Sequence, residues 1–242
     1  SPGFDGCRRI QGQRSCVPPP SGGCKRGVEE MVSFAGALVL NIGTLTDDWI
    51  ASMIAAGQKA SAQKTPIILD PVGAGATALR TASAKKILEQ TDIKVLRGNA
   101  SEILSLRHND SKTKGVDSIH TVDDAAQAAR VLATELNTTI AITGPVDLIT
   151  EGDTAYRVSN GHPLMASVTG TGCTATVTIG AFLAVDPDPV SATATALAYF
   201  GLAGEVAGES ASAPGSFMIK MLDALYTITP EQLKEGCRIE KS

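Results

Sequence analysis

From residue 28 onward, short unbroken apolar runs alternate with longer segments in which apolar residues recur every three to four positions. Runs of four to six bounded by Gly, Pro, Asn or Asp read as strands buried on both faces, and the longer periodic segments read as helices. This predicts strands at 37–41, 66–70, 93–96 and 139–142, with a hairpin at a sheet edge formed by 146–150 and 154–158 around Glu151-Gly152-Asp153. Helices are predicted at 28–34, 46–63, 77–90, 99–106, 121–136, 190–208, 216–226 and 230–235, with a further buried helix opened by the glycine turn at 168–174 and running through the small and apolar residues 175–185. Thr46 followed by Asp47 and Asp48, and Thr121 followed by Asp123 and Asp124, supply helix starts, and 107–120 reads as a polar loop. Strands that alternate with helices predict an α/β fold with a mostly parallel central sheet covered on both faces.

Residues 1–27 break this pattern. They are rich in Gly, Pro, Arg and Cys, with Pro18-Pro19-Pro20 before Gly22-Gly23, and lack apolar periodicity, so they are expected to be disordered. The remainder, 28–242, is long enough for one α/β domain with a sizeable core. A formal net charge of -4 and an aromatic content of 4% argue against nucleic acid as a partner. No apolar run reads as a membrane span and no secretory leader is evident, which points to a cytoplasmic protein with no membrane partner. Five cysteines, three of them clustered at Cys7, Cys16 and Cys24, do not form a disulfide framework or a zinc pattern.

In a parallel sheet, ligands collect beyond the carboxyl ends of the strands. Those ends carry Asn41-Ile42-Gly43-Thr44, Asp70-Pro71-Val72-Gly73, Arg97-Gly98-Asn99 and Thr143-Gly144. To them the chain adds Thr169-Gly170-Thr171-Gly172-Cys173, a glycine turn running into an apolar helix. Gly170, Thr171 and Gly172 offer backbone N–H groups at a positive helix end, an arrangement that favours an anion. Cys173 falls in the first helical turn, where its thiol is a candidate acid, base or nucleophile, or else a small buried hydrophobe. Asp70 and Glu102 are the acids best placed for Mg²⁺, which takes hard oxygen ligands and phosphates, although each reads equally as a cap or surface acid. Arg97 can aim a guanidinium at phosphate oxygens, Thr143 offers a hydroxyl, and His162 lies in a loop that borders the same end. A Gly-x-x-x-x-Gly-Lys-Ser/Thr cradle and a Gly-x-Ser-x-Gly elbow are both absent. Two relaxed dinucleotide patterns, Gly73-x-Gly75-x-x-Ala78 and Gly170-x-Gly172-x-x-Ala175, keep an NADP-dependent oxidoreductase open, with Arg97 for the extra phosphate.

Six ordered motifs then converge on one family. Asn41-Ile42-Gly43-Thr44-Leu45, Asp70 to Thr77, Arg97-Gly98-Asn99-Ala100-Ser101-Glu102, Ile142-Thr143-Gly144 with Asp147, Asn160 to Met165, and Thr169 to Cys173 resemble hydroxyethylthiazole kinase. The resemblance implies a ribokinase-like three-layer sandwich without a separate lid domain over 28–242. It also implies a homotrimer with sites between subunits, and ATP- and Mg²⁺-dependent phosphorylation of 4-methyl-5-(2-hydroxyethyl)thiazole in thiamine salvage. Under it, Asp70 and Glu102 hold the metal, Arg97, Thr143 and Asn99 contact ATP, and Gly170 lies near the substrate. Cys173 faces the alcohol where ribokinase relatives generally carry an aspartate base, and serves either as base or only to shape the site.

The resemblance stops at residue 28. Family members begin with a further strand and helix that supply thiazole contacts and part of the trimer interface, whereas 1–27 is unrelated in sequence. The expectation is a sheet with an exposed edge and an ATP half better preserved than the thiazole half. Three readings stand at this point: a working kinase, a catalytically impaired nucleotide-binding subunit, and a chain that pairs with complete homologues in a mixed trimer. Whether the chain once followed a thiamine phosphate synthase domain is not written in it.

Overall fold

The computed structural model describes residues 15–16, 25–107 and 122–242. The chain adds strands to one sheet in strict sequence order, β1 to β8. β1 (Ser15–Cys16), β2 (Ala37–Asn41), β3 (Ile67–Asp70), β4 (Ile93–Gly98) and β5 (Thr139–Ile142) run parallel. β6 (Asp147–Glu151), β7 (Thr154–Val158) and β8 (Ile239–Lys241) continue antiparallel. Right-handed crossovers that always step the same way place their helices on one face. That face carries α1 (Lys25–Val32), α2 (Asp47–Gln63), α3 (Ala78–Gln90), the short α4 (Ala100–Leu104) and α5 (Val122–Leu136). Between β7 and β8 the chain covers the other face with α6 (Thr171–Leu183), α7 (Pro189–Gly208), α8 (Pro214–Thr227) and α9 (Pro230–Gly236).

The two faces divide the strand residues by alternation. Leu38, Leu40, Ile67, Leu69 and Leu96 pack with α1 to α5. Ala37, Val39, Ile68, Val95 and Ala141 pack with α6 to α8. Continuing the period of two, Asn41, Asp70, Arg97 and Thr143 fall on the α6 side at the carboxyl ends of four neighbouring strands. α6 lies close on that face because Gly180 has no side chain; a Cβ there would stand 3.0 Å from a Val39 methyl.

Local chemistry sets the helix starts. Thr46 caps α2 by accepting from the Trp49 N–H, Thr77 caps α3 by accepting from Arg80, and Asp188 before Pro189 caps α7. α6 begins at Thr171, with the glycine turn as its entrance and Cys173 in its first turn as expected. Two expectations need correction. β4 extends through Gly98, so Arg97 is a strand residue and does not follow the strand. α7 is long and apolar enough to cross a membrane, but 67% of that stretch is buried as the core helix of the second face.

At the amino end, α1 starts at Lys25, and Ser15–Cys16 lies parallel beside β2, so the expected open edge has a two-residue partner. The rest of the expected disordered segment, and 108–121 with His108 and His120, lie outside the described residues.

α7 also carries Gly201, where a Cβ would stand 2.5 Å from the carbonyl oxygen of Asn160. That neighbour is backbone and cannot rotate away, so Gly201→Ala is expected to lower the unfolding free energy by about 1–3 kcal/mol. Urea unfolding followed by circular dichroism measures it.

Candidate active site

Asp70 is the centre of the site. It is 1% exposed at the end of β3, in register with Asn41 of β2. Burial raises its carboxyl above the ordinary range, and the Arg97 guanidinium, the Thr176 hydroxyl and the Asn41 amide act against that rise. Oδ2 accepts from Thr176 Oγ1 at 2.8 Å and Asn41 Nδ2 at 3.0 Å, with an Arg97 nitrogen 3.6 Å away. Negative charge on Glu102 adds to the rise.

Asn41 was a strand-end residue without an assigned role in the sequence, and the structure gives it three bonds. Its Oδ1 accepts from the Gly43 N–H at 2.8 Å, which fixes the amide so that Nδ2 faces both Asp70 and the Cys173 sulfur, 3.3 Å away. Thr176 was likewise missed. It lies one turn beyond Gly172 on α6, and only the folded chain brings it to an aspartate 106 residues earlier.

Arg97 donates to Thr143 Oγ1 at 2.5 Å, and its nearer terminal nitrogen lies 2.8 Å from where a Cβ on Gly172 would stand. Its buried Nε has no partner among the described residues. Gly170 takes the left-handed conformation, φ 89°, which glycine adopts without strain, and caps α6 with no side-chain bond. The Thr171 N–H and hydroxyl both turn back to the Val168 carbonyl, and the helical ladder opens with Thr174 on Gly170. Among the described residues the amides of Gly172 and Cys173 have no partner. The anion-binding surface therefore shifts by one residue from Gly170-Thr171-Gly172 toward Gly172 and Cys173. Cys173 is exposed.

Glu102 spends both oxygens on backbone, Oε1 accepting from Gly73 at 2.8 Å and Oε2 from Asn99 at 2.9 Å. Asn99 returns the bond to the Glu102 N–H, completing a capping box, so the two residues form a helix start and do not share a helix face. No group of three or more His, Cys, Asp or Glu that could hold a metal exists among the described residues. Mg²⁺ does not need one, because it keeps several waters and binds through one or two carboxylates plus phosphates. The donor set fits: Asp70 and Glu102 repel one another, and Asp70 Oδ1 carries no bond among the described residues.

On the far side of Arg97 a cavity of about 850 Å³ opens. Its polar end holds Arg97, Asn99, Thr143 and Gly172, and its other end is walled by Gly161, His162, Met165, Leu197 and Phe200. Cys173 and Asp70 are not part of its lining. His162 borders it as expected, stacked on Phe217 with ring centroids 5.5 Å apart.

The profile of the hydroxyethylthiazole kinase family matches residues 19–231. The chain belongs to this family. Hydroxyethylthiazole kinase of Desulfotalea psychrophila is 63% identical over 215 residues, covering 89% of this chain and 79% of the relative. That of Desulfosudis oleivorans is 51% identical over 217 residues, covering 88% and 79%. The solved hydroxyethylthiazole kinase of Pyrococcus horikoshii superposes with a TM-score of 0.83 at 38% identity, covering 99% of this chain and 88% of that one. A ribokinase-like superfamily protein of Enterococcus faecalis shares the fold, with a TM-score of 0.66 at 16% identity over 96% of this chain and 81% of its own. The family match begins inside the segment that the sequence sets apart, at residue 19 instead of 28.

Membership in the hydroxyethylthiazole kinase family disfavours the oxidoreductase alternative, and at the first of the two glycine patterns the geometry agrees. The Gly73 and Gly75 amides are occupied by Glu102 and Thr81, at 2.8 Å each, so this turn has no free N–H pair for a pyrophosphate.

Asp147 lines the cavity behind Thr143 and accepts from the Gly144 N–H at 2.9 Å. Burial pushes its carboxyl up from 3.8 to about 6, against that hydrogen bond and the pull of Arg97. Between these values the folded chain keeps a proton the unfolded chain has released, so stability falls as pH rises through the window and levels above about 6. Asp147→Asn keeps the acceptor and does not titrate. Its stability relative to wild type is expected to rise by up to about 3 kcal/mol from pH 4 to pH 7 in urea unfolding.

Proposed function

We propose that the chain transfers the γ-phosphoryl group of ATP to the hydroxyl of 4-methyl-5-(2-hydroxyethyl)thiazole, a salvage step of thiamine synthesis. The observation that carries this is the convergence of Asn41, Asp70, Arg97 and Thr143 beneath the open amino end of α6. ATP lies in the cavity, its nucleoside toward Met165, Leu197 and Phe200 and its phosphates toward Arg97, Thr143, Asn99 and the Gly172 amide. The helix end and the guanidinium then share the charge that grows on the γ-phosphoryl oxygens. Asp70 and Glu102 hold Mg²⁺, which when bound neutralises phosphate charge.

The acceptor alcohol enters from the side that the cavity leaves out, past Gly170 to Cys173. There the bond from alcohol oxygen to phosphorus forms as the bond to ADP breaks, and the hydroxyl proton leaves on the Cys173 side. Asn41 fixes the thiol by its amide. Because phosphoryl transfer is loose, a thiol in place of a carboxylate is tolerable, and most of the acceleration comes from positioning and charge neutralisation. We take 28–242 as the catalytic domain, working in the cytoplasm where ATP and Mg²⁺ are supplied, and as a homotrimer with sites between subunits. Support for assembly comes from the apolar stripe Met218, Ile219, Leu222 and Tyr226 on α8, each half or more exposed.

Thiazole-dependent ADP release by the purified protein tests the activity, and light scattering tests the trimer. Cys173→Ala is expected to lower turnover by about ten- to a hundredfold while ATP binding stays within about twofold. Full activity in that variant would count against the thiol.

A further inference from the structure

The cavity wall formed by the 160–165 stretch is a loop held from two sides. On the α7 side it rests on bare glycines. A Cβ would stand 2.5 Å from the Asn160 carbonyl oxygen at Gly201, 2.5 Å from the Met165 sulfur at Gly204, and 2.4 Å from the His162 ring at Gly208. Positions 201, 204, 205 and 208 share one helix face, so Glu205 stands in the same row. The loop cannot retreat toward α7.

From outside, the chain's carboxyl end closes on it. Glu205 Oε1 accepts from the Gly161 N–H at 2.8 Å and from Asn160 Nδ2 at 3.2 Å. The Arg238 guanidinium forms a fork on the two Glu205 oxygens and donates to the Ser159 carbonyl at 3.0 Å. The Asn160 side chain is saturated by the same segment: Oδ1 accepts from the Arg238 N–H at 2.7 Å, and Nδ2 donates to the Gly236 carbonyl at 2.9 Å. β8 then pairs with β7. An isolated exposed ion pair contributes little, but this one joins two backbone groups, the Gly161 N–H and the Ser159 carbonyl, and an amide that is 6% exposed. Gly161, φ 149°, adopts backbone that a side chain rarely allows, so the loop's shape depends on being held.

We propose that Glu205 and Arg238 are positioning residues for the nucleotide: through Asn160 and Gly161 they fix the wall that meets the nucleoside half of ATP. The carboxyl-terminal segment that carries Arg238, beyond the end of the family match at residue 231, thereby sets nucleotide affinity. The proposal rests on the reading that ATP occupies this cavity. Its effect is confined to the nucleoside, because the phosphate end is built from Arg97, Thr143 and Gly172 on other elements.

The test measures dissociation constants of ATP and of inorganic tripolyphosphate, each with Mg²⁺, for wild type, Glu205→Gln, Arg238→Ala and Arg238→Lys. Glu205→Gln and Arg238→Ala are expected to weaken ATP by about five- to tenfold and leave tripolyphosphate unchanged, with Arg238→Lys in between. Parallel weakening of both ligands would reduce the clamp to general structural support and overturn the proposal. A wild type that prefers ATP, with variants that keep the same preference, would overturn it while leaving the cavity's assignment standing. If wild-type protein holds ATP no tighter than tripolyphosphate, the nucleoside is not in this cavity and both readings fail.

Discussion

A carboxylate at the end of a buried strand has to be supplied with partners, and the way Asp70 is supplied organises this molecule. Its oxygen gathers an amide from β2, a guanidinium from β4 and a hydroxyl from α6. Leaving such a group unpaired in the interior would be severely destabilising, whereas pairing it fixes four elements relative to one another. Strand alternation makes this possible: Val39, Ile68, Val95 and Ala141 pack under α6 and its neighbours, and the next same-face residue on each strand is a site residue. Core packing and chemistry are thus continuous along one face, with the polar row beginning where the apolar rows stop.

The same row separates two compartments. Arg97 fills the space that Gly172 leaves vacant, so the helix end and the guanidinium are in contact without a side chain between them. The cavity lies on one side of that contact, with Cys173 and Asn41 on the other. Under the proposed function a phosphoryl group crossing from one side to the other would meet positive potential from the helix end and from arginine, which is what a dissociative transfer needs. The division goes with a difference in enclosure: the cavity is walled within this chain, whereas Cys173 is exposed.

Much of this was legible in the sequence, because strand ends and glycine turns leave local signals. The order of the elements from α1 to α9, the acids Asp70 and Glu102 at strand and helix ends, and the Gly170 to Cys173 turn were readable from patterns within a few residues, whereas the short edge strands β1 and β8 carried no such pattern. Arg97 was read as lying past its strand, since Arg and Gly look like a boundary, yet the guanidinium can continue β4 because Asp70 and Thr143 receive it. Thr176 and Asn41 were illegible in their roles: an i, i+3 step from Cys173 looks like helix filler, and an Asn after a strand looks like a turn. Their partners are 106 and 132 residues away, and local periodicity carries no such information. The row of glycines on α7 reads as small-residue packing until the 160–166 loop is laid on it.

Glu102 shows how a structural reading and a functional one need not compete. In sequence it was either a surface acid or a metal acid, and in the fold it caps α4 while its other oxygen holds the Gly73 amide of a separate loop. A carboxylate oxygen has two acceptor directions, so a backbone bond on each leaves each with a second. Those backbone bonds prevent the side chain from swinging away, which lowers the entropy cost of presenting it to a cation. Arg80 performs the matching task on the opposite side, donating to the carbonyls of Ile42, Gly43 and Val72 and tying the loops after β2 and β3 together. With both loops pinned, the charge of Glu102 stays near enough to raise the Asp70 carboxyl, and that repulsion is part of the folded state. Under the proposed metal site a divalent ion would relieve a strain the fold already carries, so metal affinity and the rigidity of the loops would have one physical origin.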